Sequence, residues 1–148
     1  MEVDLAVVAD AANVSQEGKL NVLGIFDTIW GSRFPLRHGS MVFVVRVEGA
    51  FTEQGNHRLE LRLMDADGAQ IFRAEGPLRL AGGTPGRPIK PHLILGLSGV
   101  VFPAAGDYSF EILIDGAHKR SVPLYVVEAP GAGGPAGAAG PPTGVPLA

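Results

Sequence analysis

His57-Arg58-Leu59-Glu60-Leu61-Arg62-Leu63-Met64-Asp65-Ala66-Asp67-Gly68 is the stretch that decides the fold class. Leu59, Leu61 and Leu63 alternate with Arg58, Glu60 and Arg62, the two-residue period of an extended strand with one buried face and one wet face. Asp65-Ala66-Asp67-Gly68 then reads as a tight turn, with Gly68 supplying a positive φ, and returns the chain as a hairpin through Gln70–Glu75.

The same pulse repeats on both sides of this hairpin. Residues 3–9, about 20–29, 41–48, 92–102, 108–114 and 122–127 are apolar stretches bounded by Gly, Pro and Asp, so about eight strands are expected. The run from Leu20 to Ile29 is apolar on both faces and is expected to lie centrally in a sheet covered on both sides. Asp10–Glu17 has room for one helical turn, and no ten-residue window carries a 3.6-residue apolar period. Residues 31–39 and the Pro- and Gly-rich residues 76–91 are expected as long connections between sheets.

The fold class expected is therefore all-β: a two-sheet, immunoglobulin-like Greek-key β-sandwich over residues 1–128. Gly106-Asp107-Tyr108, opening a late strand, fits the tyrosine corner of such sandwiches, in which the phenol bonds to upstream backbone. Residues 129–148 contain no charged or aromatic residue and are rich in Gly, Pro and Ala, the composition of a disordered tail.

Composition narrows the function classes. The chain has 148 residues, 46% of them hydrophobic, enough for one domain with its own core. It has no cysteine, which excludes disulfides and thiolate metal sites. The net charge of −3 argues against general nucleic-acid binding by phosphate neutralisation. Charge is nonetheless segregated: Glu2, Asp4, Asp10, Glu17 and Asp27 face only Lys19 in the first thirty residues, whereas Arg33, Arg37 and Arg46 follow with no acid among them. Glu2 and Asp4 stand where a secretory signal would be basic, and no uncharged run is long and unbroken enough for a membrane span, so a cytoplasmic location is expected.

No catalytic constellation emerges. Ser is absent from any G-x-S-x-G elbow, Gly82-Gly83-Thr84-Pro85-Gly86 lacks the Lys of a phosphate loop, and His38, His57, His92 and His118 are not paired at metal-ligand spacing. No enzyme activity, metal or cofactor is expected. Asp65, Asp67, Asp107 and Asp115 would make a calcium site only if their loops converged.

Two groups remain as candidate sites. Trp30, Arg33, Phe34 and Arg37 share one stretch and are residue types enriched at binding hot spots; the structural alternative has Trp30 and Phe34 plugging one end of the sandwich. Asp10, Asn13 and Asp27 are polar residues beside an apolar strand, expected to bond turn backbone or, alternatively, to line a pocket. Their setting, Ala9-Asp10-Ala11-Ala12-Asn13-Val14 followed by Gly18-Lys19-Leu20-Asn21-Val22-Leu23-Gly24-Ile25-Phe26-Asp27, resembles a bacterial family of small β-sandwich proteins of unknown function. The resemblance covers most of residues 1–127, implies a small cytoplasmic sandwich, and carries no activity. The function expected is a non-catalytic interaction or assembly module with a protein partner or a second copy, the alternative being a small-molecule or calcium-binding sandwich.

Overall fold

In the computed structural model, which describes residues 1–130, nine strands follow one another. They are β1 (Glu2–Val14), β2 (Leu20–Phe26), β3 (Thr28–Gly31), β4 (Leu36–Glu48), β5 (Gly55–Met64), β6 (Gln70–Leu80), β7 (His92–Phe102), β8 (Gly106–Ile114) and β9 (Ala117–Glu128). A single 3-10 turn, Phe51–Glu53, links β4 to β5. The expected tail lies, from residue 131 onward, outside the described residues. Among the described residues no helix is long and apolar enough to cross a membrane.

The strands form two sheets, ordered β2-β1-β4-β7 and β3-β9-β8-β5-β6. Leu59, Leu61 and Leu63 on β5 are fully buried, as their alternation requires, and meet Phe43 and Val45 of the facing sheet within one core. Phe43 and Phe110 lie with ring centroids 4.7 Å apart, bridging the two sheets. The Asp65–Gly68 turn forms as expected: Gly68 adopts φ +86°, and the Asp65 carboxylate accepts the backbone N–H groups of Asp67 and Ala69. Where β7 crosses to β8, the Tyr108 hydroxyl donates to the carbonyl of Ala104 at 2.6 Å and its ring stands edge-on to Phe102.

Several expectations are corrected. There are nine strands rather than eight, because the apolar run 20–29 breaks at Asp27 and its halves enter different sheets. β3 pairs in parallel with β9, while β2 is an edge strand and not a central one. No helical turn forms at 10–17: β1 continues to Val14 and a tight turn follows, closed by Ser15. β6 runs on to Leu80 through Pro77, which an edge strand tolerates because one side of its backbone has no ladder to lose.

The β1–β2 hairpin is sharply bent. Leu5, Arg46 and His92 line one cleft together with Gly18, Lys19, Leu20 and Val22. A straight β1 would place Val14 about 30 Å from Leu5 at ~3.3 Å per residue. The hairpin tip therefore folds back across the outward face of the four-stranded sheet, where Val44 and Ala9, both outside the main core, are completely buried. The bend falls where Gly24, at φ +72°, faces the Asp10 side chain so closely that any Cβ would overlap the carboxylate.

Two substitutions test this architecture by urea denaturation. Tyr108→Phe removes one buried hydrogen bond and is expected to cost about 1 kcal/mol. Gly24→Ala is expected to cost about 1–2 kcal/mol from the left-handed backbone alone, with Asp10 displaced besides; an unchanged midpoint would mean that the bend does not depend on this glycine.

Candidate functional site

The residues expected to form an interaction loop do not act as one unit. Trp30 lies on β3, paired in parallel with Val127, and its side chain is half-buried with an indole N–H that has no partner among the described residues. Phe34 packs against the core, the position of a plug at this end of the sandwich. Arg33 and Arg37 are exposed and make no ion pair among the described residues, and the Arg37 guanidinium lies over the bare backbone of Gly99.

Asp10, Asn13 and Asp27 are likewise dispersed. Asp10 and Asn13 are on β1 and not in a turn, three residues apart and so on opposite faces of the strand. Asn13 accepts a hydrogen bond from the Asn21 amide at 3.0 Å across the hairpin, and Asp10 sits against Gly24. Asp27 accepts the Thr28 hydroxyl, while its backbone carbonyl receives the N–H of Tyr125 at the crossing between sheets. It does border a shallow cleft, with Val7, Ile25, Phe26, Val122 and Pro123.

The outward face of the five-stranded sheet is charged and internally paired. Glu60 stands directly opposite Glu75, and Arg62 opposite Arg73, so attraction runs along the diagonals, as in Arg73 to Glu60 and Arg58 to Glu75. Hydrogen bonds from Arg73 and Arg62 hold the Glu60 carboxyl down to about 2. On the same sheet Glu111 gathers Ser109, Ser121 and His118. Burial pushes the Glu111 carboxyl up, and these three hydrogen bonds outweigh it and bring it below its ordinary value. This is the one place among the described residues where Ser, His and a carboxylate meet, and its geometry is not that of a nucleophile. Glu111 and Ser121 both approach the same ring nitrogen of His118, whereas a triad needs the carboxylate on one nitrogen and the hydroxyl on the other.

The four Asp-bearing positions do not all converge: Asp107 lies at the same end of the β5–β8 pair as Asp65, and Asp115 at the opposite end. Asp115 sits at the end of β8 beside Arg58 and His57, whereas Asp65 sits beyond Met64 at the other end of β5, about 20 Å away at ~3.3 Å per residue. Among the described residues no three His, Asp or Glu side chains are grouped so as to hold a metal ion. Where β1 begins and β4 ends, Phe51, Pro85 and Pro88 line an open cleft with Glu2, Glu48 and Arg87.

Sequence reasoning missed the feature that stands out most. Leu23 and Ile25, two residues apart on β2, are 65% and 61% exposed, the most accessible large aliphatic side chains among the described residues. The uncharged run in which they lie was the available signal, and it was read as evidence of burial.

His57 donates one ring N–H to the carbonyl of Glu53 and meets Asp115 at 2.6 Å through the other nitrogen, tying the 3-10 turn and β5 to the β8–β9 turn. The Asp115 hydrogen bond raises the His57 pKa above its ordinary 6.5, and the same bond lowers that of Asp115 below 3.8. A raised histidine stabilises below its unfolded value and loses that contribution as pH climbs through the folded one. A depressed aspartate stabilises above its unfolded value and loses that contribution as pH falls through the folded one. Urea titrations of His57→Ala against the native chain should thus differ most between about pH 4 and 6.5 and less on either side, where only the Glu53 bond and the ring's packing are lost; a pH-independent difference would show that the Asp115 contact carries no charge.

No curated protein matches the chain. A family model does, over residues 4–127, nearly the whole of the described sandwich, and so the chain belongs to the family of unknown function DUF6941.

Proposed function

We propose that this protein is a non-catalytic interaction module that engages a protein partner through the outward surface of β2. The observation that carries the reading is the joint exposure of Leu23 and Ile25. Scattered apolar residues on a surface need no explanation, but two large aliphatic side chains on the same edge strand are a docking feature. An edge strand also offers unpaired backbone donors and acceptors, which natural sheets usually guard with charge. β2 has none between Leu20 and Phe26.

The rest of the surface supports the assignment by contrast. On the charged face of the five-stranded sheet Glu60 and Glu75 are both paired with arginines, and the Asp4 carboxylate is engaged by Arg46 and by Lys90. An immunoglobulin-like reading of the sandwich agrees with this role, since such scaffolds present edges and end loops to partners. It draws support from β3 running parallel to the last strand and from the Tyr108 hydrogen bond at the β7–β8 crossing.

The test uses Leu23→Asp and Ile25→Asp. Both positions are exposed, so the melting temperature should stay close to that of the native chain, as surface changes usually do. Complexes recovered with the native chain, whether with itself or with another protein, should be lost from both variants. Complexes that survive both substitutions would remove β2 as the docking surface.

A further inference from the structure

We infer that the partner of this surface is a second copy of the chain, with the two β2 strands lying antiparallel about a two-fold axis at Leu23. This inference rests on the reading of β2 as the docking surface and adds the identity of the occupant. The strand is uncharged from Leu20 to Phe26, and the charges that bound it are Lys19 at one end and Asp27 at the other. Each lies four residues from Leu23. An antiparallel neighbour centred there sets Lys19 of one copy against Asp27 of the second copy, and the two-fold axis makes the contact twice. A parallel neighbour would set like charges together.

Both charged groups are free to take part. Among the described residues the Lys19 ammonium has only Glu17, 3.5 Å away, and both side chains are about three-quarters exposed at 73% and 76%, so this pair holds it weakly. Among the described residues the Asp27 carboxylate receives only the adjacent Thr28 hydroxyl. In the same register Leu23 of each copy faces its counterpart at the axis, and Ile25 lies on the diagonal to Leu23 of the second copy, within reach of aliphatic contact. Gly24 interrupts the strand one residue from the axis, so the side chains on its two sides carry the contact. Among the described residues the far side of β2 has no ladder partner, and joining two such edges would link the two β1–β2 ribbons across the axis. An isologous contact of this kind closes on itself and stops at the dimer.

Sedimentation equilibrium on the full chain, from micromolar to millimolar concentration, tests the proposal. The native chain should dimerise, and Leu23→Asp should be monomeric with an unchanged circular dichroism spectrum. Lys19→Glu and Asp27→Lys should each raise the dimer dissociation constant about tenfold, because two attractions become repulsions. The double variant Lys19→Glu/Asp27→Lys should restore dimerisation, since the pair re-forms with its signs exchanged. A double variant no tighter than the singles would overturn the register. A native chain monomeric throughout, yet still losing a complex with another protein on Leu23→Asp, would overturn self-pairing and leave the docking surface standing. A dimer indifferent to Leu23→Asp and Ile25→Asp would overturn both.

Discussion

β1 changes partners part-way along its length, and most of the architecture depends on that exchange. From Glu2 to Ala9 it pairs with β4, and from Val8 to Val14 it pairs with β2. Val8 and Ala9 are flanked on both sides, and both are buried, one towards the core and one away from it. Beyond them β1 has lost β4, and the hairpin it makes with β2 is free to bend over the outward face of its own sheet. Once β2 ends, only Asp27 separates it from β3, whose parallel pairing with β9 closes the edge of the opposite sheet. The backbone bond from Tyr125 to Asp27 holds the chain at that step.

The two sheets differ in how they meet solvent, and the difference has an electrostatic origin. Like charges placed directly across a strand pair repel, so the Glu60–Glu75 and Arg62–Arg73 positions would be unfavourable if read singly. Offset by one step they become alternating neighbours, each anion touched by cations from two strands. Exposed ion pairs of this kind add little stability individually, yet together they offset the like-charge positions across the β5–β6 pair. β2 carries no charge and, among the described residues, has no neighbour on its far side.

Much of the fold was legible because some residues report only one environment. Leu59, Leu61 and Leu63 could alternate with charges only on a half-buried strand, and Gly68 and Tyr108 each required a specific turn or corner. The run from Leu20 to Ile29 was misread because its apolar residues answer to four environments. Leu20 and Val22 cover the sheet, Phe26 packs on the core edge, Leu23 and Ile25 face solvent, and Ile29 is buried in the opposite sheet. Their sum mimics a strand covered on both faces. Pro77 concealed the length of β6 for a related reason: a proline forbids a central strand and says nothing against an edge.

The candidate residues were harder to read than the fold, because closeness in sequence does not set direction on a strand. Trp30, Arg33, Phe34 and Arg37 span eight positions and divide among a paired strand, a core contact and exposed arginines. Asp10 and Asn13 answer each to a different neighbour across the hairpin, one steric and one hydrogen-bonded. Asp10 meets Gly24 at the bend, which turns one side of β2 onto the sheet and leaves Leu23 and Ile25 exposed on the other, while Asn13 and Asn21 tie the two strands nearer the hairpin tip. On this view the polar residues of the N-terminal motif act indirectly. They shape the hairpin, and the shape of the hairpin decides which apolar side chains stay exposed.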